Sequence, residues 1–294
     1  MIKMNIRILI VKCITLHLQQ MNEELKKLVI QVRRDILRMV HAVNSGHPGG
    51  SLGCVEFFVT LYKRILNQSD SKSKDLFILS NGHISPVLYS ILARTGHFDL
   101  DELSTFRKID SRLQGHPTNH DNLPGINISS GSLGQGLSVG IGIGLSKKLN
   151  NDKSLVYVLT GDGELQEGQN WEALMFGAAK EVDNIIVTVD FNGQQIDGST
   201  KDVLDIGDLD KKLESFGWEV LKIENGNSLN EVFEVISLAK KKTGKGKPVI
   251  IIMKTVMGNG VDFMMHTHNW HGVAPNDEQL EIALSQNPET LGDY

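Results

Sequence analysis

The sequence predicts an α/β fold: a doubly wound, mostly parallel sheet with helices on both faces. Three observations carry this. Five short runs, at 75–80, 153–159, 184–190, 218–224 and 248–255, are near-continuously apolar, the pattern of strands covered on both sides. Stretches with apolar residues at helical spacing separate them, so strands alternate with helices rather than with tight hairpins. Gly161-Asp162-Gly163 follows the second run and Asn192 follows the third, which puts two oxygen-bearing side chains at the carboxyl ends of neighbouring parallel strands. Open α/β sheets bind their ligands at that edge.

Taken in order, residues 1–20 stand apart as an N-terminal extension, and residues 21–294 read as one diphosphate- and metal-binding domain. The segment 1–14 is apolar but broken by Lys3, Arg7 and Lys12, and Leu16 to Gln20 offers no small-residue cleavage site, so a start at Met21 fits better than a signal peptide. Residues 23–43 form an amphipathic helix with Leu25, Leu28, Val29, Val32, Ile36, Leu37, Met39, Val40 and Val43 on one face. The next segment, 44–53, holds too many Gly and Pro residues for regular structure and presents His47. A second helix is expected over 55–66. The strand 75–80 ends at Asn81-Gly82-His83, and a helix covers 86–95. The polar loop 107–120 contains Gln114-Gly115-His116-Pro117. Glycines crowd 128–145, with Gly134-Gln135-Gly136 followed by Gly140, one residue too late for the dinucleotide fingerprint. Small residues at such spacing permit close helix packing or a contact between chains.

After Gly163 a helix over 168–180 turns Trp171, Leu174, Met175 and Ala178 inward. Helices follow at 208–216 and 228–242, the latter with Leu229, Val232, Phe233, Val235, Ile236 and Ala239 inward. The basic loop 240–247 reads as solvated surface. The tail, 258–275, gathers His266, His268 and His271 without an acidic or cysteine partner, a poor ligand set for zinc.

Composition narrows the function. The chain has 294 residues, enough for one full core. A formal charge of −5 argues against a nucleic-acid surface. No stretch reaches transmembrane length. Cys13 and Cys54 lack metal-ligand spacing and read as reduced, packed thiols of a cytoplasmic protein. At the strand ends, Asp162 offers a carboxylate oxygen and Asn192 an amide oxygen, the ligands a hard cation such as Mg2+ accepts alongside phosphate and water. The flanking glycines let backbone approach an anion. Taken alone, Gly161-Asp162-Gly163 also fits a plain strand-to-helix turn; Asn192 tips the reading toward a metal-bound diphosphate.

The run from Gly161 to Gly168, closed by Asp190-Phe191-Asn192, resembles the thiamine diphosphate motif. With Ser45-Gly-His-Pro-Gly49, Ser80-Asn-Gly-His83, Gln114-Gly-His-Pro117 and Trp270-His-Gly272, the chain resembles the transketolase family over almost all its length after Met21. Deoxyxylulose-phosphate synthases share the first loop and Gly-Asp-Gly but not the pairing of Ser-Asn-Gly-His with Gly-His-Pro. The resemblance implies the diphosphate-binding domain of a thiamine-diphosphate-binding fold. It implies thiamine diphosphate with Mg2+, or Ca2+ or Mn2+ in its place, held by Asp162, Asn192 and the Gln194 carbonyl. His83, Gly131, Ser132, Leu133, Gly163, Glu164, Asn192 and His271 would contact the cofactor; Ser132 stands where the family usually has Pro. His47, His116 and His271 would touch the sugar and serve catalysis, and Glu167 would join a buried acid network coupling active sites.

The implied reaction is transfer of a two-carbon ketol unit from a ketose phosphate to an aldose phosphate. Transketolases carry two further domains, and one supplies the Glu that activates the thiamine pyrimidine across a subunit interface. No Glu here sits in a matching motif, nor do the sugar-phosphate Arg and Ser residues. The resemblance therefore implies the N-terminal subunit of a split enzyme, active only with a separate C-terminal chain, as a heterotetramer with two copies of each. The rivals are the α chain of another two-chain thiamine enzyme, which would not need the four His motifs, and a non-catalytic cofactor-binding subunit.

Overall fold

The computed structural model describes residues 2–68 and 73–294, residues 2–19 by backbone course alone, so the packed thiol expected at Cys13 lies outside the described side chains. Helix α1 runs from Ile2 to Ala42. The helix expected to begin at 23 starts earlier because no Gly or Pro interrupts that stretch. Its expected face is buried at Leu25, Leu28, Val32, Ile36 and Val40.

The segment 44–53, expected to be irregular, contains a short helix, α2 (Pro48–Gly53). Pro48 occupies the first turn, where its missing N–H costs nothing. Gly49 and Gly50 permit close packing: a Cβ would lie 2.7 Å from Met257 and 2.8 Å from Ile84. The second expected helix divides into α3 (Val55–Thr60) and a π-helical turn, Leu61–Ile65. Strand β1 (Leu76–Leu79) and helix α4 (Ser85–Arg94) follow.

Helix α5 (Gln135–Leu149) leads into the central βαβ unit, made of strand β2 (Val156–Gly161), helix α6 (Gly168–Ala179) and strand β3 (Ile185–Phe191). The buried face of α6 is Asn170, Ala173, Leu174 and Gly177; Met175, expected inside, is 61% exposed, because it follows Leu174 by one residue and so points about 100° away. A two-residue ribbon, β4 (Gln194–Gln195) with β5 (Gly198–Ser199), leads into α7 (Thr200–Leu204). Then come α8 (Leu209–Ser215), β6 (Glu219–Ile223), α9 (Leu229–Lys242) and β7 (Val249–Lys254). A last helix, α10 (Asp277–Gln286), was not expected; Asn276 and Gln279 form its capping box.

The main sheet has the order β1-β2-β3-β7-β6, every pairing parallel. The chain steps outward from β1 to β6 and then doubles back to β7. Helices α5, α6 and α8, each leading into the next strand of an outward step, cover one face, while α9 of the return step covers the other together with α1, α3 and α4. The core divides accordingly. Ile78, Val158, Val187 and Ile250 pack in one cluster with Leu137 and Ile141 of α5, Leu174 of α6 and Leu213 of α8. Phe77, Leu79, Leu159, Ile251 and Met253 pack in another with residues of α1, α3, α4 and α9. Successive strand residues alternate between these clusters, which is why each strand reads as continuously apolar. Among the described residues no helix is long and apolar enough to cross a membrane.

Candidate functional site

The Gly- and His-bearing segments meet at the carboxyl edge of this sheet, around one cavity of about 340 Å³. Gly161 pairs with Asp190 across β2 and β3, so Asp162 and Asn192 leave adjacent strand ends side by side. The α2 turn brings His47, the end of β1 brings Asn81 and His83, and the segment after β7 brings Met257 and His271.

Asp162 is 1% exposed. Its two carboxylate oxygens accept from the N–H groups of Gly163 at 2.8 Å and Gly193 at 2.6 Å. Burial, and then the charge of Asp190, push its pKa up to about 7 against those two donors. Asp190 is also buried, and burial raises it too. Two buried carboxylates facing only neutral donors resist ionisation side by side, and a divalent cation would supply the counter-charge that holds them ionised. Asp162, Asn192 and Gln194 all lie on the cavity wall, and carboxylate, amide and backbone carbonyl oxygens are the ligand types such a cation accepts.

The four histidines of the expected site are together. His47 lies 5.1 Å from His83, 5.6 Å from His271 and 6.4 Å from His116, ring centre to ring centre, and His83 stacks on His271 at 5.2 Å. Burial lowers all four below the ordinary histidine value. His47 falls to about 4, with the charges of His271 and Arg107 next in effect, and His83 falls well below. They are therefore neutral imidazoles at pH 7, able to donate at one nitrogen and accept at the other. The Nδ1 atoms of His47 and His271 and the amide oxygen of Asn81 are buried without a partner among the described residues. Orphaned polar atoms on a cavity wall fit a polar ligand such as a diphosphate ester with its heterocycle.

Gly131 and Leu133 line the cavity, whereas Ser132 between them is exposed and outside its walls. Glu164 lines it too and is 2% exposed, yet its carboxylate is engaged within the protein. It accepts from Ser80, from Gly134 N–H at 2.8 Å and from Gly161 N–H at 3.0 Å, buckling the 131–134 loop to the ends of β1 and β2. Glu167, expected on the first turn of its helix, sits at the N-cap of α6 beside Gly134 and is exposed on this chain. Gly163 lines the cavity with its N–H turned to Asp162 rather than outward. His266 and His268 join no metal cluster: among the described residues no group of three His, Cys, Asp or Glu side chains is arranged for one. Asn81, Gln166, Gln195, Ile196 and Met257 also form the wall and were not singled out from sequence. Asn81 alone carried a signal, its place beside His83 at a strand end.

Comparison with known proteins agrees with this geometry. Residues 25–289 match the family model of the transketolase thiamine diphosphate binding domain. The chain is 37% identical over 269 residues to one subunit of the apulose-4-phosphate transketolase of Actinobacillus succinogenes, covering 90% of this chain and 96% of that one. It is 32% identical over 259 residues to a 6-deoxy-6-sulfo-D-fructose transketolase subunit from Clostridium sp., covering 87% and 93%. The transketolase of Leishmania mexicana superposes with a TM-score of 0.84 at 26% identity, over 92% of this chain and 42% of that one. The strand-end constellation and these matches have one common explanation: the chain belongs to the transketolase family, in its thiamine diphosphate binding domain.

Proposed function

We propose that the chain is the diphosphate-binding subunit of a two-chain transketolase, moving a two-carbon ketol unit from a ketose to an aldose. The observation that carries this is the convergence of Asp162, Asn192, Gln194 and four neutral histidines on one cavity. Thiamine diphosphate, when bound, supplies the electron sink on which the carbon–carbon bond is cut and remade. Asp162, Asn192 and the Gln194 carbonyl hold Mg2+, whose part is to template the diphosphate. Gly131, Leu133 and His83 wall the cofactor. His47, His116 and His271 bind the sugar hydroxyls and, being neutral, can take or return a hydroxyl proton.

The related subunits named for apulose-4-phosphate and for 6-deoxy-6-sulfo-D-fructose suggest a substrate class, ketoses with a terminal phosphate or sulfonate. Their naming as subunits also supports a separate partner. That C-terminal chain would bring the pyrimidine-activating Glu and the groups for the sugar's anionic end, in a heterotetramer where Glu167 joins an acid network between active sites. The cytoplasm suits a protein whose Cys54 is a free, buried thiol.

The test is a ketol-transfer assay with thiamine diphosphate and Mg2+, run on this chain alone and mixed with a candidate C-terminal chain. Activity is expected only in the mixture and lost on chelation of the metal. Turnover by this chain alone would overturn the two-chain reading.

A further inference from the structure

Asp190 is given no ligand or catalytic role above, yet it is a buried carboxylate at the centre of the site. Asn192 Nδ2 donates to its Oδ2 at 2.8 Å. Thr255 Oγ1, just past the end of β7, donates to its Oδ1. The buried Cys54 thiol, at the corner between α2 and α3, lies beside it. On its other side the Asn192 amide oxygen accepts the Gln194 N–H at 2.9 Å.

We infer that Asp190 is a positioning residue that fixes the Asn192 amide with its oxygen available to the metal. The inference rests on the metal reading given above. A side-chain amide can present either its oxygen or its NH2, and only the oxygen ligates a cation. A carboxylate accepts and never donates while ionised, so it selects the NH2 of Asn192, and the Gln194 N–H selects the oxygen. Turning the amide over sets oxygen against oxygen on one side and N–H against N–H on the other. Thr255 in turn pins Asp190 itself. Among the described residues no cation pairs with Asp190. Burying a carboxylate with no cation beside it is costly, where a neutral Asn of the same shape would serve a purely structural role. Partners behind a metal ligand set its orientation in just this way.

The experiment measures Mn2+ binding to the full chain in the presence of thiamine diphosphate, by calorimetry or by the spin-resonance signal of free Mn2+. The metal-free melting temperature is recorded alongside. Asp190→Asn is expected to weaken Mn2+ binding by roughly 10- to 100-fold, while the metal-free melting temperature holds or rises. The double variant Asp190→Asn with Asn192→Asp is expected to recover affinity to within about threefold of the original, because a carboxylate in place of the amide presents an oxygen whichever way it turns. Unchanged affinity in Asp190→Asn, or no recovery in the double variant, overturns the inference. Should Asp190→Asn fail to fold, Asn192→Asp is compared with the double variant: a change below about threefold supports the inference, and a loss near tenfold overturns it. Failure of the unmodified chain to bind Mn2+ with thiamine diphosphate is a different result, and refutes the metal reading itself.

Discussion

At the scale of single residues, the site depends on positions where one atom more would not fit. Gly131 has φ +131°, and a Cβ there would lie 2.7 Å from the His116 ring. Gly131→Ala therefore meets both backbone strain and a displaced imidazole. Loss of about 1–3 kcal/mol of stability is expected, read by urea denaturation. Ketol transfer with the partner chain should fall by at least about tenfold, the result of moving a group that contacts substrate; an unaltered rate would mean that His116 has no role in the reaction. His47, His83 and His116 were legible because each is held beside Gly or Pro in a loop between regular elements. Asn81 carried only its place beside His83, and Asp190 carried no sign of its role. The environment of Asp190 comes from Cys54 and Thr255, distant in sequence, and nothing local to Val189-Asp190-Phe191 announces them.

At the scale of elements, α5 shows which glycines are structural. A Cβ at Gly140 would sit 2.6 Å from Val158 of β2, while one at Gly142 meets nothing within 4 Å. The first glycine lets the helix lie close to the sheet, and the second costs helix stability without a packing return in this chain. Gly142→Ala should raise the stability of the isolated chain by up to about 1 kcal/mol through helix propensity. Gly140→Ala gains the same propensity but overpacks the interface by about 1–3 kcal/mol, so it should be destabilising. Melting curves of the two variants check both signs, and equal shifts would contradict the packing seen here. The sequence pattern could say that small residues recur in this helix, but not which of them faces the sheet. The same limit explains Met175, where the helix was legible and its buried face was not, and α2, where two glycines read as breakers are in fact the residues that let a helix fit beneath Met257 and Ile84.

At the scale of the whole molecule, folding brings four histidines from four segments into one partly dry cluster, and that has a consequence for acid stability. In the unfolded chain each titrates near the ordinary value of 6.5, whereas in the fold His47 titrates at about 4 and His83, His116 and His271 also lie below 6.5. Between the folded and unfolded values the unfolded chain binds more protons, so stability rises with pH across that window. Put the other way, destabilisation begins as pH falls through 6.5 and, for His47, is complete by about 4. The four rings stand too close for independent protonation, and charging one makes the next harder to charge. His47 alone should account for roughly 1 kcal/mol of the loss between pH 7.5 and 5, after allowance for solvent at the half-open cavity. The measurement is urea denaturation at both pH values for the unmodified chain and for His47→Gln without ligands. Background carboxylates titrate alike in both, so the difference in their losses isolates the imidazole. A smaller acid loss in His47→Gln is the expected outcome; identical losses would show that His47 is as easily protonated folded as unfolded, and would remove the physical basis for treating the cluster as neutral at the pH of catalysis.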